Sequence, residues 1–300
     1  MAPETMKAAL CKEEGDNLSI GGAIIVEDVD VPKPGSREVL IKLAAASLCS
    51  TDLSVMDGMF GPKCLPVILG HEAVGVVAEL GPESESYGLK VGQLVGAPPY
   101  TGMCLECHNC KKFGPDHCSA KKVKGINAPG YFSEYSLIDA ASAVIVADDA
   151  TRVDDVGRIS PIFCAGVTVW DALERAQIEP GQSLAILGLG GLGQLCARYA
   201  TALGAKVFAL DIQDAQLNEV RNTVHEVINM KDLSPAEVDA KMKQVNNERG
   251  AEVAIVTAGS SMAYQMALSI LEPLGRIVVV GLPKEPLSIS AGQMSANCTK

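Results

Sequence analysis

Cys104, Cys107, Cys110 and Cys118 stand in a CxxCxxCx7C run. Four thiolates so closely spaced can close a tetrahedron around one zinc ion at about 2.3 Å each, which leaves no open position for chemistry. The spacing therefore predicts a structural zinc site. Free or redox-paired thiols are the competing reading, but core packing gives no reason for four cysteines at these intervals. His108 and His117 fall inside the same loop and could replace a ligand; the plainer reading is a pair of exposed loop histidines.

A second chemistry is written in glycines. The apolar run Leu184 to Leu187 leads into Gly188-Leu189-Gly190-Gly191-Leu192-Gly193, followed by a segment with apolar residues at helical spacing. A GxGxxG placed between a strand and a helix is the dinucleotide fingerprint. Gly188 permits the tight turn, Gly190 lets the backbone approach a pyrophosphate, and Gly193 lets helix and strand pack closely. The next strand ends in Asp211, where a carboxylate can accept hydrogen bonds from ribose hydroxyls and would repel a 2′-phosphate. Ile212, Gln213 and Asp214 follow, with no arginine among them, so NAD is favoured over NADP. An exposed strand-end aspartate with no ligand is the plainer alternative.

The elements that must carry these residues divide the chain. Up to about residue 150, short β-like segments such as Val39 to Ala46 and Ala73 to Leu80 are bounded by glycine and proline, which reads as an irregular β-rich barrel. Beyond Pro180-Gly181, apolar strands alternate with helix-period segments, the pattern of a parallel sheet built from βαβ units. Strands are expected at Ser183 to Leu187, Lys206 to Asp211, Glu226 to Ile228, Val253 to Thr257 and Arg276 to Val280. A helix capped by Gly204 should follow the glycine turn. Another should start at Ser234-Pro235, with Glu237 completing a capping box. Five strands are visible, where a doubly wound dinucleotide fold usually has about six.

Composition bounds the rest. The chain has 300 residues, 48% of them hydrophobic, enough for two domains. A net charge of -11 with no basic block argues against nucleic acid. No run reaches the roughly 18 apolar residues of a membrane span. The charged N-terminus has no signal-peptide pattern. The ten cysteines then suit a reducing, cytoplasmic setting better than disulfides.

Three further residues are unremarkable alone: Cys49 in Cys-Ser-Thr-Asp52, His71 in Gly70-His-Glu72, and Cys164 in Cys-Ala-Gly-Val-Thr168. Taken in order, with the quartet between the second and third and the glycine turn after the last, they carry a resemblance to the zinc-dependent medium-chain alcohol dehydrogenases. The resemblance runs from about Met6 to residue 290. It implies an α/β chain with a GroES-like β-rich catalytic domain over 1–164, holding both zinc sites, and a Rossmann NAD-binding domain over 165–300. It further implies that Cys49, His71 and Cys164 ligate a catalytic zinc with a fourth position open. Glu72 and Asp52 are expected close behind, Glu72 also counted with Cys49, His71 and Cys164 among the metal residues of the catalytic zinc, and Asp52 fixing the His71 tautomer. Thr168 is expected near the nicotinamide, beside the contacts of Gly188, Gly190, Gly191, Leu192, Gly193 and Asp211. The implied reaction removes an alcohol's hydroxyl proton through Thr51 and passes a hydride to NAD, giving an aldehyde or ketone. Two thiolates and a neutral imidazole cancel the charge of Zn2+, which suits such a Lewis acid.

The chain departs from the family in several places. Ser50 replaces a basic or imidazole side chain that faces the cofactor pyrophosphate, which predicts weaker NAD binding. Ser54 replaces a histidine of the proton relay, which would leave proton release to water. Gln216 stands where a lysine often supports the ribose. Family members continue well past Lys300, so the last strand of the cofactor sheet, the edge that pairs subunits and a returning segment are expected to be missing. Homo-oligomer formation, implied by the family, becomes an open question. An active dehydrogenase is the leading reading. A truncated, catalytically silent zinc- and NAD-binding homologue is the second, and a zinc-independent reductase the third. Met59, Phe60, Pro99 and Tyr100 fall in segments that often line the family's substrate pocket, without naming a substrate. Cys11, Cys64, Cys196 and Cys298 read as inert.

Overall fold

Val39 and Ile41, two apart on one strand, project to the same face and pack with Ala73, Val77, Val95 and Ile138. This alternation organises the first half of the chain in the computed structural model, which describes residues 2–13, 24–61, 65–290 and 292. Cys64 and Cys298 lie outside the described residues. The chain divides into two units, Met1–Cys164 and Ala165–Lys300.

The first unit carries β1 (Thr5–Cys11), β2 (Ile24–Asp30), β3 (Glu38–Ala46), helix α1 (Ser50–Met56), β4 (Val67–Ile68), β5 (Ala73–Leu80), β6 (Leu94–Ala97), β7 (Tyr100–Thr101), α2 (His108–Phe113), β8 (Lys122–Val123), β9 (Tyr135–Asp139) and β10 (Val144–Ala147). Five strands form a sheet in the order β10-β6-β5-β3-β9, three more the order β2-β1-β4, and β7 pairs with β8. The central pair is antiparallel, with Ala46 at the end of β3 facing Ala73 at the start of β5. The chain leaving β3 and the chain entering β5 therefore emerge at one edge, carrying Cys49 and His71 with them. Ala97 of β6 pairs with the same Ala73, so the β6–β7 connection begins there too.

The second unit is a parallel sheet flanked by helices: α3 (Ala165–Ala176), β11 (Ser183–Leu187), α4 (Gly191–Ala202), β12 (Lys206–Asp211), α5 (Asp214–Val220), β13 (Glu226–Asn229), α6 (Pro235–Val245), β14 (Ala251–Val256), α7 (Ser261–Ile270) and β15 (Leu271–Val279). Its order is β13-β12-β11-β14-β15, all parallel. Helices on both faces bury the sheet, which is why β11 and β14 read as continuous apolar runs. The order reverses beside β11, and such a crevice at the carboxyl ends of the strands is where this fold takes ligands.

Gly204 adopts a left-handed φ of 86° past the end of α4. The Ser234 capping box forms as its sequence requires. β15 differs: it begins at Leu271, ahead of the expected Arg276, because Glu272 to Gly275 bulge out of the ladder rather than ending it. Leu274 takes a φ of 66° there, and Pro273 cannot donate to a neighbour, so a turn-like sequence sits inside a strand. Among the described residues no helix is long and apolar enough to cross a membrane.

Candidate metal centre and dinucleotide site

Cys49 is the N-cap of α1, with an extended backbone. Asp52, three residues on, accepts its backbone N–H at 3.0 Å, so Cys-Ser-Thr-Asp is a capping box with cysteine in the serine position. The same carboxylate reaches the next segment. Its other oxygen accepts the Gly70 N–H at 3.1 Å and meets His71 Nδ1 at 3.0 Å. Gly70 has a φ of 91°, and a β-carbon there would stand 2.6 Å from the Phe132 ring, so only glycine fits before His71.

The Cys49 and Cys164 sulfurs and a His71 ring nitrogen all lie within 4.8 Å of one another. His71 is buried, and its Nε2 makes no hydrogen bond. A buried ring nitrogen left without a partner is costly unless something else engages it. With Nδ1 held by Asp52, Nε2 lies beside two sulfurs and, once deprotonated, completes the donor set of a zinc with one position left open. The Glu72 carboxylate, also buried, is not a member of this group. Thr51 Oγ1 lies 3.8 Å from the Cys49 sulfur.

Protons in this cluster are shared unevenly. The Cys164 thiol, able to donate to Cys49, outweighs burial and with His71 and the Thr51 N–H brings Cys49 down to about 4. Burial works against a charged His71, but the Asp52 hydrogen bond and the Cys49 thiolate prevail and hold it up at about 10. Cys164 is driven well above the ordinary thiol range by Cys49, by burial and by the charges of Glu72 and Asp52. Without metal the trio is thus thiolate, imidazolium and thiol.

The quartet is equally well gathered. Its four sulfurs lie within 4.8 Å of one another, and backbone N–H groups are aimed at them. Cys104 N–H donates to Cys118, Cys107 N–H to Cys104 and Ala120 N–H to Cys118, each at 3.4 Å. Cys110 N–H donates to Cys107 at 3.5 Å and, with the Ser119 N–H, brings that thiol down to about 6. Such donors offset the negative charge of four thiolates around one divalent ion. His108 and His117 are exposed and flank Phe113 instead. Tyr100 packs against this lobe beneath Lys121, whose Nζ lies 4.0 Å from the ring centre.

In the second unit, Gly188 takes a φ of 96°, and a β-carbon on Gly193 would stand 1.9 Å from the Gly188 carbonyl oxygen. Both glycines are therefore required by the turn and by its packing. Gly190 and Gly191 face nothing within 4 Å, which leaves a cradle where backbone can meet a phosphate at the start of α4. Asp211 is buried beneath it, accepting the Leu189 N–H at 2.6 Å and the Gln213 N–H at 2.9 Å. It shapes the glycine loop and keeps further lone pairs able to accept hydrogen bonds. Gln216 accepts from Gln194, which also donates to the Leu189 carbonyl. Leu192 is half-buried, while Thr168 lies exposed on the first turn of α3.

Two family models match the chain, Alcohol dehydrogenase GroES-like domain over residues 35–148 and Zinc-binding dehydrogenase over residues 191–298. An alcohol dehydrogenase of Moraxella sp. (strain TAE123) is 35% identical over 287 residues, 95% of this chain and 80% of that protein. The chain belongs to the zinc-dependent medium-chain alcohol dehydrogenases. A Geobacillus stearothermophilus alcohol dehydrogenase of the same family is 34% identical over 285 residues, again with 95% and 80% covered. Among solved structures, the alcohol dehydrogenase from the hyperthermophilic archaeon Aeropyrum pernix superposes with a TM-score of 0.86 at 26% identity, over 98% of this chain and 83% of that one.

Residues beyond those singled out in the sequence also build this dehydrogenase's sites. Gly96 lies inside a strand, a position that often marks a close approach, and it makes room for the ring of Phe163 just before Cys164. Ser47 and Ser160, described below, carry no such signal. Cys11 and Cys196 are buried, and burial pushes both thiols up, Cys196 to about 12.

Proposed function

We propose that this alcohol dehydrogenase transfers hydride reversibly between an alcohol and NAD, with Cys49, His71 and Cys164 holding the zinc at which the substrate oxygen is activated and the quartet holding a second, structural zinc. The observation that carries the reading is the buried, partnerless Nε2 of His71 facing two cysteine sulfurs. Zinc there supplies Lewis acidity that acidifies a hydroxyl or polarises a carbonyl, and NAD supplies the hydride acceptor.

The chain's own groups do the rest. Asp52 fixes the His71 tautomer through Nδ1. Thr51, two residues after Cys49, receives the substrate's hydroxyl proton. Ser54 cannot extend that path, because its hydroxyl donates to the Ser50 carbonyl at 3.1 Å. Proton release therefore passes from Thr51 to water. The carboxylate of Asp211 favours the ribose of NAD and repels the 2′-phosphate of NADP. Thiolate ligands at two sites suit a reducing, cytosolic compartment.

Metal content of the purified chain, measured together with NADH formation from primary, secondary and aromatic alcohols, tests the reading. Two zinc ions per chain and turnover with NAD exceeding that with NADP are expected. Zinc bound only at the quartet, with no turnover, would overturn it.

A further inference from the structure

The metal-ligating trio comes from three separate segments, and Asp52 joins only two of them, the Cys49 turn and the Gly70-His71 turn. The Cys164 segment is tied in by a different device. The Ser47 backbone N–H donates to the Glu72 carbonyl at 3.2 Å. The Ser160 hydroxyl donates to the same carbonyl at 3.1 Å, and the two serine hydroxyls meet at 2.9 Å. Ser160 has one hydroxyl proton and gives it to Glu72, so Ser47 donates the bond between the hydroxyls. Ser47 lies two residues before Cys49, Glu72 directly follows His71 and Ser160 lies four residues before Cys164. Every ligand-bearing segment thus contributes one member to a closed ring of hydrogen bonds.

Ser160 is 1% exposed, so water cannot replace a bond it loses. It opens the single 3-10 turn Ser160–Phe163, a geometry with weak internal hydrogen bonds whose placement depends on outside contacts. Phe163 secures the far end of that turn against Gly96, and Ser160 secures the near end.

We propose that Ser160, assisted by Ser47, is a positioning residue that sets where Cys164 stands relative to Cys49 and His71, and thereby sets the affinity and ligand geometry of that metal site while leaving the quartet unaffected. The proposal rests on the reading that the trio holds zinc. Partners that bond the ligands directly are worth about 10- to 100-fold in metal affinity, which bounds from above the effect of a residue acting through the backbone.

The test uses the full chain loaded with zinc, and separately with cobalt, in the parent, Ser160→Ala, Ser47→Ala and Ser160→Thr. In Ser160→Ala, one of two ions should leave to a chelator at least about threefold faster, and the cobalt d–d bands of that site should shift, while the quartet's ion is released as in the parent. Ser47→Ala keeps the Ser160–Glu72 bond and should change less in the same direction. Ser160→Thr, which restores the hydroxyl, should move back toward the parent. Parent-like release and an unshifted cobalt spectrum in Ser160→Ala would overturn the proposal; if that variant does not fold, the same result in Ser47→Ala would do so. A parent chain that takes up only the quartet's ion overturns the zinc reading of the trio, and the role of Ser160 with it.

Discussion

A β-carbon placed on Gly96 would stand 1.7 Å from the tip of the Phe163 ring. The ring fills the space a side chain on β6 would need, and it immediately precedes Cys164. Gly96→Ala must expel Phe163 and drag the cysteine with it. A stability loss of at least about 1–3 kcal/mol is expected, with the trio's metal lost before the quartet's. Urea unfolding and metal analysis check this, and an unchanged denaturation midpoint would contradict it.

Filling the trio must displace protons. In the metal-free chain His71 is held up at about 10 and Cys164 is pushed up further, while Cys49 is already a thiolate. Zinc requires a neutral imidazole and two thiolates, so about two protons leave per ion at pH 7, and affinity falls as pH falls. Calorimetry in buffers of different ionisation heat reads this directly. Binding heats independent of the buffer would refute it.

Lys124 is 4% exposed, with Ser136 Oγ 3.4 Å from its Nζ. Burial lowers its ammonium from 10.5 to about 8, against the opposing charges of Asp139 and Glu38. The folded chain then binds fewer protons than the unfolded chain between those values, so stability rises with pH across that window and the full penalty applies below about 8. The penalty is on the order of 3 kcal/mol. Lys124→Met should therefore be the more stable chain at pH 7, with the gap closing toward pH 10.5. Thermal melts over this range decide, and a variant no more stable than the parent at pH 7 would count against it.

Asp211→Asn should act twice, because the carboxylate both anchors the Leu189 N–H and is placed to receive a ribose. Hydrogen bonds to a charged group contribute about 1.5–3 kcal/mol. KM for NAD should rise by about tenfold or more, and the preference for NAD over NADP should shrink. Steady-state kinetics with both cofactors measure it; an unchanged ratio would show that Asp211 does not discriminate.

Ser54→His should extend the proton path beyond Thr51. The present hydroxyl is spent on the Ser50 carbonyl, whereas an imidazole can pass a proton outward. The variant should oxidise alcohols faster than the parent toward the acid side of pH 6 to 9, and coincident pH–rate profiles would contradict the relay.

Legibility in the sequence followed locality. The quartet and the glycine turn are contiguous, and the bounds of strands Ser183–Leu187 and Lys206–Asp211 are legible because burial on both faces leaves apolar runs between them. The start of β15 is not legible, because Pro273 and Gly275 look like a turn when they form a bulge. The trio came from order and family resemblance, since nothing in linear spacing tells that Cys49 and Cys164 are neighbours. Lys124 sits in Lys-Lys-Val-Lys, which reads as a solvated run, yet its side chain is buried. Ser160 has no signal at all, because a serine's value depends wholly on which carbonyl the fold brings to it.

The two candidate metal sites also differ in when they can form. The quartet closes loops of a few residues, so its ion can be captured by a nascent peptide before the five-stranded sheet, whose β9 and β10 follow Cys118, is complete. Cys49 and Cys164 stand far apart in sequence, and the strands that bring the trio together must pair first. The lobe is thus available as an early, metal-nucleated folding unit, whereas the reactive ion can enter only once the first unit has been made in full.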